Sequence, residues 1–435
     1  MSGWGSWFTG SEQPNAQGAA SGTNFRAVTD EFDQGSLYGP LEPADLEWTC
    51  PTYISTETQT WYAVIEDGSF VTCQIIYSPI GIWNPQVQMT FKYSNPKTGK
   101  KVWKSVNVSK FKLQDDKRSC QSEIFTVTLK DAADGSQEFD INAKLDDEVQ
   151  ILISFVRPKE ALGWKLGNGA TGGMSFFGKQ GDANAPVVKH RFWPYAKTKG
   201  LVVIGGQAID CTGQGCFVQA LQGMRPNLVA ARWNFAWFQS PELDGTSALL
   251  MELTTTSDYG KVEASGKREP QVVTFGSVTC QGKLVSVVGA TRSALQPDDS
   301  PSLHSGTRVM HLEKVLDPET GYQVPQSMKC TWDGAALIDG AAAPSTRVTG
   351  ELVVPLGSPD QVNGLIDKVD ILAEIPYVVR KVVNYVAGTK PYIYQTLNEV
   401  DLALCLPDAL KDGSSEAGPL HVKGTLFEEH TFISE

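Results

Sequence analysis

The chain has 435 residues, 41% of them hydrophobic and 20% charged, with a formal net charge of −12. That length exceeds one ordinary core, so two domains are expected. The acidic balance and the lack of any long basic run exclude a nucleic-acid partner, whose phosphates need Lys and Arg, while apolar contact with a membrane stays open.

The opening MSGWGSWFTG lacks a basic n-region and a continuous apolar h-region, so no secretory signal is expected. Trp4, Trp7 and Phe8 fall at i, i+3 and i+4 on one face of a short helix and are the candidate membrane-contact residues. Gly3 and Gly5 each cost such a helix about 1 kcal/mol relative to Ala, so a bilayer would have to fold it. The same aromatics read equally well as part of a disordered tail. Residues 9–24 are rich in Gly, Ser, Ala, Gln and Asn, and 1–24 as a whole reads as a flexible tail. Residues 25–55 are mixed, with a short ordered turn at 41–48. No apolar run approaches the ~18–20 residues of a spanning helix.

From Thr58 the period is two. Trp61-Tyr62-Ala63-Val64-Ile65 is a strand, Asp67-Gly68 a tight turn, and residues 70–77 the return. Val87, Met89, Phe91 and Tyr93 alternate with polar residues, as do Phe125, Val127 and Leu129. Phe139, Ile141 and Ala143 continue the pattern beyond an Asp134-Gly135 turn. One apolar and one largely polar face per strand marks an antiparallel meander wet on one side, which loses its edges by closing into a barrel. This first domain is expected over residues 45–218.

Gln222-Gly223-Met224-Arg225-Pro226 breaks the pattern at the midpoint. A second Trp-led strand follows at 232–238, Asp244-Gly245 turns it, and 248–253 return. The shared order of Trp strand, Asp-Gly and strand points to an internal duplication, with a second domain over 219–435. Ile375, Val378, Val379, Val382, Val383 and Val386 recur at helical spacing, opened by Pro376 and ended by Gly388. The expected fold is all-β: two tandem lipocalin-like antiparallel β-barrels, with one C-terminal helix before the last strands.

Catalytic motifs are missing. Gly167-Asn168-Gly169-Ala170-Thr171-Gly172 spells G-x-G-x-x-G, but no strand-to-helix unit carries it. The five histidines and eight cysteines lack metal spacing, and the cysteines read as reduced, mostly buried thiols. Cys211 and Cys216 leave a reversible disulfide open. Glu428, Glu429 and His430 are acid–base candidates that, at a strand end, read as a solvated rim. No catalytic residue, metal or cofactor is expected, and no enzyme. What remains is apolar volume, since a barrel of about eight strands holds one small apolar ligand. Trp61, Phe91, Trp193, Trp233 and Phe235 are the candidate ligand-lining residues, with plain core packing the competing reading.

Several blocks carry a family resemblance. They are His190-Arg191-Phe192-Trp193-Pro194, Gln222-Gly223-Met224-Arg225-Pro226, Trp233-Asn234-Phe235 and Phe238-Gln239-Ser240. Val386-Ala387-Gly388-Thr389-Lys390-Pro391-Tyr392-Ile393-Tyr394-Gln395 and Thr431-Phe432-Ile433-Ser434-Glu435 complete the set. With them the chain resembles the fungal survival factor 1 family of double lipocalin-like proteins. The resemblance implies a cytoplasmic protein held peripherally at endoplasmic reticulum and Golgi membranes, with a nuclear pool also open. It implies non-vesicular carriage of ceramide-like sphingolipids between those membranes and a part in survival under oxidative stress. It also implies an N-terminal amphipathic helix, a pattern from which the Gly-rich opening departs. The rival readings are a cavity-shaping enzyme on a terpenoid or polyketide-like substrate and a stress-response interaction protein without a ligand. Paired acidic or His side chains in an apolar lumen would favour the enzyme. Barrels packed solid would favour the interaction protein.

Overall fold

A computed structural model describes residues 23–79, 85–262, 266–296, 306–370, 391–411 and 418–434. The expectations for Trp4, Trp7 and Phe8 and for a helix at 375–388 lie outside the described residues.

Period-two runs of β-branched and aromatic residues make strands almost throughout. The first sheet contains β1 (Thr56–Ile65), β2 (Phe70–Ser78), β3 (Gln86–Ser94), β4 (Lys101–Val108) and β5 (Phe125–Asp131). It continues with β6 (Gln137–Lys144), β7 (Val149–Arg157), β8 (Val187–Ile204) and β9 (Gly213–Gln222). The order is β4-β3-β2-β1-β9-β8-β7-β6-β5, so the opening strand lies beside the closing one, Thr56 facing Gln222. Gly68 and Gly135 take the positive φ (88° and 90°) that the Asp-Gly turns require.

The second sheet contains β10 (Arg232–Ser240), β11 (Thr246–Thr254), β12 (Gln271–Cys280), β13 (Lys283–Ser293) and β14 (Arg308–Leu316). After these come β15 (Gln323–Ile338), β16 (Ala341–Pro355), β17 (Leu365–Asp370), β18 (Tyr392–Cys405) and β19 (Leu420–Phe432). The order is β13-β12-β11-β10-β19-β18-β16-β15-β14, with β17 on β18. Again the opening strand pairs with the closing one, Arg232 facing Phe432. Strand β13 also meets β15, where Ser286 faces Ala336. The fold is thus all-β, in two large curled sheets. The path of the first sheet ends at β4 on one side and at Lys112–Leu113 on the other.

The chain ahead of the expected start at 45 is already structured. Phe25–Arg26 pairs with Met174–Phe177, and Tyr38–Pro40 with Trp164–Leu166. The G-x-G-x-x-G stretch falls in the turn region between those two partners, with a strand rather than a helix after it. Asp45, in the turn Pro43–Leu46, is buried and bonds Lys165 Nζ and Arg191 Nε, both at 2.7 Å. Burial raises its carboxyl, and the two cations more than reverse this, leaving it below the usual range.

The expected wet face is missing from the strands around the seam between the sheets. Gln271–Cys280 is buried at every position. The outer faces of β10, β11 and β12 lie against the first sheet, in a core that includes Phe25, Val28, Phe192, Phe235, Leu249 and Phe427. Ser247 Oγ donates across the seam to Pro194 O at 2.7 Å. No disulfide joins any of the eight cysteines, and of them only Cys50 and Cys405 are not buried.

Candidate functional site

The five candidate ligand-lining aromatics divide between two cores. Trp61, Phe91 and Trp193 are fully buried inside the first sheet. There Trp61, Phe139, Trp193 and Phe217 form a rosette with ring centroids 4.7–5.4 Å apart. Trp233 and Phe235 face the seam instead, Phe235 lying 5.1 Å from Tyr62 and Trp233 6.1 Å edge-on to His190. The five therefore do not share one packed cluster. Two open clefts flank the first sheet, of about 490 and 240 Å³, and none of the five lines either. The larger is rimmed by Glu66, Asp67, Lys100 and Asp210, a polar setting unlike an apolar pocket.

Alternation along β10 explains the division and exposes a different site. Its odd residues, Trp233, Phe235 and Trp237, pack in the seam. Its even residues Ala236 and Phe238 enter the interior of the second sheet, with Ala248, Leu250, Val278 and Leu426 from the neighbouring strands. One step further along the same rows, the side chains turn polar. Tyr394, His430, Asn234, Glu252 and Thr274 stand opposite one another across β18, β19, β10, β11 and β12. All five are buried. Glu428 and Thr396 face each other one step below.

Every acceptor on the two buried carboxylates is engaged. Glu252 accepts from Asn234 Nδ2 at 3.1 Å, Thr274 Oγ1 at 2.7 Å and Val309 N–H at 3.1 Å. Arg292 reaches to 3.8 Å from it. Glu428 accepts from Thr396 Oγ1 at 2.8 Å and bonds His430 Nδ1. The His430 ring stacks on Tyr394 at 4.8 Å, and the Tyr394 hydroxyl donates to Asp317, itself 2.7 Å from Lys368 Nζ. Burial raises the Asp317 carboxyl, and the Lys368 and Tyr394 hydrogen bonds overcome this to hold it low. Strand β14 brings in His311, whose Nε2 lies 2.8 Å from Asn234 Oδ1. Burial drives that imidazole well below its usual range, and Arg232 adds to the effect.

Glu428 and His430 are therefore not a solvated rim. They are enclosed, because β19 is a central strand and both residues sit on its inner row. Glu429 points the other way, towards the first sheet. It accepts from Gln395 Nε2 at 2.7 Å, close to Lys92, which bridges the sheets to Asp367 at 2.8 Å. Asn234, Glu252, Thr274 and His311 went unnoticed in the sequence as a group, although period-two counting from Phe238 and Leu250 places the first two on the inner row.

The Svf1 family profile matches residues 5–434. The chain belongs to the Svf1 family. The ceramide-binding protein SVF1 of Yarrowia lipolytica is 31% identical to this Svf1-family chain over 98% of it and 97% of the relative. The ceramide-binding protein svf1 of Aspergillus fumigatus is 30% identical, with 92% of each chain covered. A crystal structure of CghA with Sch210972 shares the fold at 12% identity, with a TM-score of 0.55 over 94% of this chain and 98% of its own.

Proposed function

We propose that this protein binds ceramide-like sphingolipids and carries them between endoplasmic reticulum and Golgi membranes, supporting survival under oxidative stress. The observation that carries the reading is the end-to-end match to relatives named as ceramide-binding, at 30% and 31% identity. Support also comes from the interior of the second sheet, where apolar rows lead into a buried polar tier. That order suits a lipid with an apolar tail and a small uncharged polar head. On this reading the two sheets act as tandem barrels over 45–218 and 219–435, the protein works without a reaction step, and Trp4, Trp7 and Phe8 touch the membrane surface from the cytoplasmic side.

Extraction of lipid from liposomes, with mass spectrometry of what remains bound, tests the proposal. Enrichment of ceramide over bulk phospholipid is expected, and equal recovery of both overturns it. Replacing Trp4, Trp7 and Phe8 together with Ala is expected to release the protein from membranes in cells; unchanged recruitment removes the N-terminal contact.

One observation favours a second reading, an enzyme acting on an apolar substrate. Two carboxylates and two imidazoles share the enclosed tier, the residue types of general acid–base work. Chemical change in a lipid incubated with the wild-type protein, abolished in Glu252→Gln, would establish it.

A further inference from the structure

The polar tier contains one acceptor that the described protein leaves unused. Glu252 as a carboxylate only accepts, so Asn234 must turn its amide NH2 towards it. That orientation points Asn234 Oδ1 at His311 Nε2, 2.8 Å away. An amide oxygen has no hydrogen to give, so Nε2 carries the proton and donates it. In the neutral ring Nδ1 then holds a bare lone pair. His311 is 5% exposed, and its Nδ1 has no hydrogen-bond partner. Buried acceptors of this kind are seldom left empty.

No donor of the described residues reaches Nδ1, although Arg232, Lys314 and Arg292 lie near enough to add to the depression of the imidazole. Thr274 and Thr396 give their hydroxyl hydrogens to Glu252 and Glu428, and Asn234 Nδ2 is held by Glu252. The rings nearest His311 are His430 at 5.9 Å and Phe432 at 6.1 Å. Beyond the tier come the apolar rows of Ala236, Phe238, Leu250 and Leu426.

We propose that Nδ1 of His311 accepts a hydrogen bond from a hydroxyl or amide N–H on the head of a bound lipid whose tail lies along those apolar rows. This assignment rests on the lipid-binding reading above and specifies its polar anchor. The Glu252–Asn234–His311 chain fixes the tautomer, so the site selects a head that donates and discriminates against one whose donors are capped.

The test uses the full chain with nitrogen-15-labelled histidine, stripped of lipid and then given N-palmitoyl-sphingosine in phosphatidylcholine liposomes. The Nδ1 resonance of His311 should sit at the bare-lone-pair position in the stripped protein and move upfield on loading. His311→Phe should weaken ceramide binding by about tenfold and leave binding of the N- and O-methylated analogue unchanged. His311→Gln, which keeps an acceptor and a donor, should recover part of the loss. If ceramide binds and Nδ1 does not move, the assignment falls and the lipid reading stands. If ceramide does not bind but a total lipid extract moves Nδ1, the assignment stands and the ceramide reading falls. An Nδ1 already shifted in the stripped protein means a buried water only, and overturns the assignment. So does an Nδ1 that no lipid moves, or an equal loss for both ligands in His311→Phe.

Discussion

The ring of Phe70 lies flat on that of Phe427, with centroids 4.4 Å apart and planes 11° from parallel. Phe70 opens β2 in the first sheet and Phe427 sits on the outer row of β19 in the second, so the pair fastens the sheets together. Phe427→Ala is expected to destabilise the protein by about 3–5 kcal/mol. Urea unfolding of both single variants and the double should show a coupling of about 0.5–1.5 kcal/mol beyond additivity. Additive losses would mean that the stack contributes only buried area.

Asp45 makes stability depend on pH with one sign. Its carboxyl is held below the usual range in the folded chain, so its contribution is present above the ordinary value of about 3.9 and is lost as pH falls through the folded value. Asp45→Ala leaves Lys165 and Arg191 buried without their shared partner and should cost about 3–5 kcal/mol near pH 7. Denaturation midpoints at a series of pH values check both statements, with the gap from wild type narrowing in acid.

Glu429 runs the other way. Burial raises its carboxyl, and the Gln395 hydrogen bond and the Lys92 charge only partly offset this. A carboxyl raised on folding adds stability below its ordinary value of about 4.3 and loses it as pH climbs through the folded value. Glu429→Gln cannot ionise, so it should gain on wild type as pH rises above about 4.3. Lys92 keeps Asp367 as its partner in that variant. The comparison is made by urea midpoints at pH 4 and pH 7.

Trp61 belongs to a filled rosette, so Trp61→Ala should act on stability. A loss of about 3–5 kcal/mol in urea unfolding is expected. Under conditions where the variant is folded, lipid affinity should match wild type. An affinity loss with unchanged stability would instead make Trp61 a ligand-lining residue.

The strands and their tight turns were legible because period-two alternation and Asp-Gly pairs are local signals, as around Asp67-Gly68 and Asp134-Gly135. The face that each residue uses was harder to read. Phe235 and Phe238 are both aromatic and three positions apart, yet one packs in the seam and the other inside the second sheet. Composition alone carries no direction, and a core on both sides of β10 removes the polar face that would have revealed it. The polar tier was hidden for a related reason. Asn234, Glu252, Thr274 and His430 are ordinary surface residue types, brought together only by the register of four strands. His311 comes from β14, outside that run, and its approach to Asn234 is a tertiary fact with no local trace.

In both sheets the opening strand takes the closing strand as its neighbour, and this sets a timetable for synthesis. Strand β10 leaves the ribosome with β11 as a partner, but its other edge waits for β19, from Arg232 to Phe432, a separation of 432 − 232 = 200 residues. At translation rates of about 5–20 residues per second, that edge stays unpaired for roughly 10–40 s. During the wait Asn234 has no His430 beside it, and the seam face of β10 has only the finished first sheet to rest against. Phe235 and Trp237 pack in a core shared with the first sheet, so the earlier half of the chain offers a surface that can cover them before the last strand arrives.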